Sequence, residues 1–180
     1  MSDPTLNYVQ CPDVQGGHRM AYWSWGSHDA PRSIVCVHGL SRQGRDFDVL
    51  AQALVQRSAG AVRVLCPDVV GRGRSDFLSD PDGYQIPTYA SDMLALVQHL
   101  QLKEFDWVGT SMGGLIGMAV CAHAASLGLK IGRLVLNDVG PVIQWQAIAR
   151  IGQYLGRVAY FDNVEQTAQA MWLISTSFGP

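Results

Sequence analysis

No charge of either sign dominates this sequence. Thirteen Lys+Arg stand against 15 Asp+Glu, a formal net charge of −2, and only 16% of the 180 residues are charged. That balance argues against a basic nucleic-acid-binding surface. Low charge combined with 48% hydrophobic residues and a mean hydropathy of +0.08 excludes a disordered chain. Internal repeats and low-complexity tracts are missing, and the 19 glycines follow no fixed period. The four cysteines (Cys11, Cys36, Cys66 and Cys121) are too scattered for a CxxC or a Cys/His zinc spacing. Cys36 and Cys66 lie in apolar runs, where a free thiol acts as a small hydrophobe. The first ten residues lack the basic start and apolar core of a signal peptide. The longest apolar stretch, residues 113–129, is short for a membrane span and contains His123 and Ser126, so it predicts a buried helix. There is no G-x-x-x-x-G-K-[ST], and Gly71-x-Gly73-x-x-Asp76 lacks the third glycine of a dinucleotide fingerprint. What remains is a reduced, cytoplasmic protein of one domain, or one domain and part of a second, with no nucleic-acid or membrane partner.

The periodicity alternates between strand and helix. Residues 6–10 and 19–25 read as an antiparallel pair turned at Gly16-Gly17. Ser33-Ile34-Val35-Cys36-Val37 is a short continuous apolar run, as in strands buried on both faces, and it stops at His38-Gly39. Phe47, Leu50, Ala51, Leu54 and Val55 recur at helical spacing, with Asp46 placed to cap the helix. Residues 62–66, 105–108 and 134–136 are further strands. Helices are expected from Pro87-Thr88 and over residues 115–127, the latter buried all round. The expected fold is α/β: a mostly parallel sheet with helices on both faces. The strand signal stops at Gly140. Helical spacing then continues through Ile143, Ala147, Ile148, Ile151, Tyr154 and Leu155, and through Val164, Ala168, Met171, Trp172 and Ser175. Residues 1–140 are therefore expected to form one unit and residues 141–180 a separate helical segment.

Gly109-Thr110-Ser111-Met112-Gly113 matches G-x-S-x-G. Alone the pattern is weak; between a strand and a helix it gains meaning. A sharp turn there lifts the serine hydroxyl off the sheet edge. Flanking glycines let strand and helix approach, and the helix start aims backbone N–H groups at the same point. The competing reading is a Gly-rich helix start with an N-cap serine. His38-Gly39-Leu40 ends an earlier parallel strand, and its loop lies on the same sheet edge if the strands are parallel.

Together these stretches resemble the α/β-hydrolase fold superfamily. The matching segments are Val35-Cys36-Val37-His38-Gly39, the loop from Pro67 through Gly71-Arg72-Gly73-Arg74-Ser75-Asp76, the elbow Val108 through Gly114, and Leu134 through Pro141. The resemblance implies that Ser111 is the nucleophile, that the N–H groups of Met112 and Leu40 form an oxyanion hole, and that residues 141–180 begin a helical lid. It implies no cofactor and no metal. It also implies the chain order Ser, acid, His. Only His123 follows Ser111, and it falls inside a helix, so the histidine is expected beyond Pro180 and the chain is expected to be a C-terminally truncated member. Asp138, which ends a strand on the active edge, is a candidate acid, since some members of the superfamily place theirs after this strand; Asp162 and Glu165 also follow Ser111. His38 precedes the serine and reads as a loop-holding residue.

Four arginines (Arg42, Arg45, Arg72 and Arg74) crowd the loops of this edge. They are expected either to read a substrate anion or to pair with Asp46, Asp48, Asp68 and Asp76. The functional expectation is a serine hydrolase that forms an acyl-enzyme from a small-molecule ester, lactone, thioester or activated C–C bond. The alternative is a fragment that binds a ligand or partner without turnover.

Overall fold

The computed structural model describes residues 3–13, 16–153 and 159–174. Six strands form one sheet: β1 (Thr5–Cys11), β2 (His18–Trp25), β3 (Arg32–Val37), β4 (Val62–Pro67), β5 (Glu104–Thr110) and β6 (Lys130–Asn137). The helices are α1 (Asp48–Arg57), α2 (Ile86–His99), α3 (Met112–Ala124), α4 (Trp145–Gly152) and α5 (Val164–Ile174). Tyr154, Leu155 and Ser175, three of the positions expected to be helical, lie outside the described residues.

The sheet order is β1-β2-β4-β3-β5-β6. β1 and β2 pair antiparallel, as do β2 and β4, whereas β4, β3, β5 and β6 run parallel. The fold is thus an α/β sheet covered on both faces. Alternation along the central strands explains the coverage. Ile34 and Cys36 of β3, with Val62, Val64 and Cys66 of β4, pack against Phe47 and Ala51 at and in α1. Val35 and Val37, with Leu65, point the other way, into the core built with Met93, Leu96 and Val97 of α2 and Ile116 and Val120 of α3. Strands flanked on both sides in this way need apolar residues at every position, which is why they read as continuous runs.

Three expectations need correction. Asp46 does not cap α1: a 3₁₀ turn, Gly44–Phe47, precedes the helix, and Asp46 accepts from Arg42 Nε at 2.5 Å instead. Helix α3 is not buried all round. Its first half is enclosed, but Ala122 and His123 near its end are exposed. β6 is eight residues long against the three expected and is not a buried strand; Val135 is 50% exposed. Its polar ends, Lys130 and Asn137, pair with β5 through backbone hydrogen bonds, which ask nothing of the side chains.

The chain divides into two compact units, Met1–Val142 and Ile143–Pro180. The second holds α4 and α5, where Trp145, Trp172 and Leu173 are exposed. No helix of the described residues is long and apolar enough to cross a membrane.

Candidate active site

Parallel pairing brings the carboxyl ends of three strands to one edge. Val37 of β3 lies opposite Gly109 of β5, and Thr110 of β5 lies opposite Asn137 of β6. Ser111 is the single residue between β5 and α3, with φ 50° and ψ −115°. A side-chain-bearing residue at positive φ costs about 1–3 kcal/mol and persists only where its surroundings hold it. Here they do. The Ser111 N–H donates to the Asn137 carbonyl at 2.8 Å, and the Ser111 carbonyl accepts from Gly114 N–H at 2.8 Å and Leu115 N–H at 3.2 Å. Trp107 Nε1 donates to the Gly113 carbonyl at 3.0 Å, tying the strand to the first helical turn.

The flanking glycines are dictated by contact. A Cβ on Gly113 would lie 2.0 Å from the Val37 carbonyl oxygen, and one on Gly109 would lie 2.4 Å from the Gly113 oxygen. The start of α3 therefore rests directly on the end of β3. Gly39 packs beside the elbow: a Cβ there would meet Ser111 Cβ at 3.7 Å and the Thr110 oxygen at 3.7 Å. The His38-Gly39-Leu40 loop and Ser111 thus share one edge. Met112 N–H belongs to the first helical turn, whose donors have no intrahelical acceptor.

His38 is buried and fully engaged. Val69 N–H donates to its Nε2 at 2.9 Å, so Nδ1 carries the proton and donates to the Gly39 carbonyl at 2.7 Å. Burial lowers its pKa, which keeps the ring neutral. With its one acceptor nitrogen occupied, it has no lone pair for a serine proton and instead joins the loops after β3 and β4. His123 lies about 18 Å along the helix from Ser111, at about 1.5 Å per residue. His28 is exposed in the β2–β3 turn, His99 ends α2, and His18 is held elsewhere. Among the described residues, none of the five histidines makes a hydrogen bond to Ser111. Asp138 is exposed, at φ 57°, immediately after β6 on the active edge.

The arginines separate. Arg42 pairs with Asp46 and Arg45 with Asp48, as their proximity in sequence suggested. Asp76 pairs with Arg19 instead of Arg74. Among the described residues Asp68 pairs with no arginine side chain; it accepts the backbone N–H groups of Gly44 at 2.7 Å and Arg74 at 2.9 Å. Arg72 pairs with no carboxylate among the described residues: it donates to the Leu40 carbonyl at 3.0 Å and the Val70 carbonyl at 2.8 Å.

A second titratable cluster went unseen in the sequence. His18 Nε2 lies 3.0 Å from Asp92 and His18 Nδ1 lies 3.2 Å from Asp13. Cys11, His18 and Asp92 bring ligand-type atoms within 4.8 Å of one another, all buried. Burial pushes Asp92 up to about 6 even though His18 draws it down. Burial pulls His18 down, but the two carboxylates outweigh it and its pKa is raised. Burial also raises the Cys11 thiol far above its ordinary range, so it stays protonated. The three residues come from β1, β2 and α2, so no local spacing announces them.

The comparisons agree with this geometry. A family model for the alpha/beta hydrolase fold matches residues 32–164. A 3-hydroxybutyrate-oligomer hydrolase of Cupriavidus necator is 48% identical over 178 residues, covering 99% of this chain and 58% of the relative. A haloalkane dehalogenase of Mycolicibacterium paratuberculosis is 30% identical over 162 residues, covering 83% of this chain and 52% of the relative. The crystal structure of an alpha/beta hydrolase from Novosphingobium aromaticivorans matches with a TM-score of 0.80 at 34% identity, covering 96% of this chain and 57% of that one. The chain thus spans a little over half the length of these relatives. By family match, sheet order and elbow geometry, the chain belongs to the α/β-hydrolase fold family.

Proposed function

We propose that this chain carries the nucleophile and oxyanion hole of a serine hydrolase that cleaves carboxylic esters. The carrying observation is Ser111 alone at positive φ between β5 and α3, with Gly39 packed against it. Ser111 Oγ attacks the ester carbonyl carbon and its proton passes to a general base. The carbonyl oxygen becomes an oxyanion held by the N–H groups of Met112 and Leu40. Collapse expels the alcohol, which takes up the proton, and leaves an acyl-serine. Water then cleaves the acyl-serine by the same steps. Each oxyanion donor is worth about 10²–10³ in rate.

The base is none of the five histidines. We place it in sequence following Pro180, for which the greater length of the relatives leaves room, and keep Asp138 as a candidate acid partner. Residues 141–180 are read as the start of the lid. The identity to a 3-hydroxybutyrate-oligomer hydrolase makes short linear esters of 3-hydroxy acids the substrates to try first; the scattered, unpaired cysteines support a cytoplasmic setting.

The test compares the 180-residue chain, a chain extended along its reading frame, and Ser111→Ala in the extended chain. Release of 3-hydroxybutyrate from its oligomers and hydrolysis of p-nitrophenyl acetate are measured. The proposal expects a gain of several orders of magnitude on extension, abolished by Ser111→Ala. Activity that survives Ser111→Ala refutes it. An inert extended chain points to the ligand-binding alternative.

A further inference from the structure

We propose that Arg72 is a positioning residue for the oxyanion hole, tying the loop that carries Leu40 to the residue that follows the nucleophile. The inference rests on the serine-hydrolase reading above. Four observations carry it. First, Arg72 is presented by two glycines at left-handed φ, Gly71 at 80° and Gly73 at 55°. A Cβ on Gly71 would lie 2.5 Å from the Tyr84 ring, and one on Gly73 would lie 2.2 Å from the Asp68 carboxylate, so the loop has one path. Second, the guanidinium is held on several sides. Nε donates to the Leu40 carbonyl at 3.0 Å, and Nη1 donates to the Val70 carbonyl at 2.8 Å and Tyr89 Oη at 3.1 Å. Third, Nη2 lies 4.0 Å from Met112 Sδ, so one planar group touches both residues whose N–H groups are assigned to the oxyanion. Fourth, the guanidinium carbon stands 5.2 Å from the centre of the Tyr89 ring and 5.7 Å from that of Tyr84.

The contrast with its neighbours is informative. Arg42 and Arg45 each pair with a carboxylate, whereas Arg72 pairs with none among the described residues. Its fork is spent on neutral acceptors belonging to separate segments, a task for a planar, multi-donor group. Lysine offers a point charge on a flexible stem and cannot hold the Leu40 carbonyl, the Val70 carbonyl and Tyr89 together. Leu40, in the loop after β3, and Met112, at the start of α3, are far apart in sequence, and an oxyanion hole works only if both donors are held within about 0.5 Å. A misplacement of about 1 Å costs about a hundredfold in rate.

The test uses the extended chain and four variants: Arg72→Met, Arg72→Lys, Tyr89→Phe and Ser111→Ala. Steady-state kinetics on a short ester are measured with the affinity for a trifluoromethyl ketone analogue of the tetrahedral intermediate. Urea midpoints are recorded for each variant. Arg72→Met is expected to lower kcat about ten- to a hundredfold with KM within about threefold, and to weaken the ketone by the same factor as kcat. Arg72→Lys recovers little of the loss. Tyr89→Phe removes one acceptor and gives a smaller loss in the same direction; it decides the matter if Arg72→Met does not fold. Unchanged kcat overturns the inference, as does a raised KM at constant kcat, which marks a substrate contact. Full recovery with lysine overturns it too, because charge alone is then sufficient. Activity that survives Ser111→Ala overturns the serine-hydrolase reading itself, whereas Ser111-dependent activity indifferent to Arg72 overturns only this inference.

Discussion

Replacing Gly113 with alanine tests the contact on which the site depends. The added Cβ would sit 2.0 Å from the Val37 carbonyl oxygen, 2.5 Å from the Val37 carbonyl carbon and 2.9 Å from the His38 oxygen. All three are backbone atoms, so no side chain can rotate away. Restoring ordinary contact at 3.4 Å requires the start of α3 and the end of β3 to part by about 1.4 Å. Overpacking of this kind costs about 1–3 kcal/mol, and a rigid strand on one side and a helix on the other put the expected value near 3 kcal/mol. The Trp107 Nε1 bond to the Gly113 carbonyl is strained by the same shift, adding up to about 1 kcal/mol. For a chain of this size that lowers Tm by roughly 10 °C. Urea and thermal unfolding of the 180-residue chain measure the stability. Fluorophosphonate labelling of Ser111 in the extended chain measures the elbow, and its rate should fall about a hundredfold, because the helix start moves relative to the loop of Gly39. Gly152→Ala, with nothing within 4 Å of the added carbon, is the control and should change stability by no more than about 0.5 kcal/mol. A Gly113→Ala chain as stable as wild type, labelled at the wild-type rate, would refute the close approach of β3 and α3.

Stability should depend on pH through the His18–Asp92 pair. Asp92 titrates at about 6 when folded, against an ordinary value of about 3.9, and His18 is also raised. The folded chain therefore holds more protons than the unfolded one, and this contribution is full at low pH and is lost as pH rises through about 4 to 6 and past the ordinary histidine value. The urea midpoint of wild type minus that of Asp92→Asn should fall across that window, and a difference that rises with pH contradicts the burial described. Thiol titration of the native chain should find Cys121, which is half-buried, reacting first, with Cys11, Cys36 and Cys66 following only as the fold opens; peptide mapping checks the order. Arg42→Ala removes an exposed ion pair with Asp46 and should cost less than about 1 kcal/mol by urea unfolding, leaving esterase kinetics of the extended chain unchanged.

Much of the architecture was written into local pattern. β3 and β4 read as continuous apolar runs because each residue faces one core or the other: Ile34 and Cys36 toward α1, Val35 and Val37 toward α2 and α3. The elbow was equally plain. Gly109 and Gly113 are spaced to remove the side chains that would separate strand, turn and helix, and that requirement spans five residues. Other features depend on partners that local pattern does not name. The full length of β6 follows from its backbone pairing with β5, which Lys130 and Asn137 join without an apolar signal. Asp46 looked like a helix cap, but Arg42 lies within reach and the chain enters α1 through a 3₁₀ turn. His38 was legible as a loop residue, while its tautomer waited on Val69, whose N–H arrives from the end of β4. Arg72 looked like its three neighbours in sequence; only the placement of Leu40, Tyr89 and Met112 around it set it apart. The Cys11–His18–Asp92 cluster likewise joins two strands and a helix. Hydrophobic period and glycine spacing act over a few residues, so the sequence by itself determined element type and the elbow. Which polar groups meet depends on parallel pairing and helix packing between distant segments, and that was decided only in the tertiary structure.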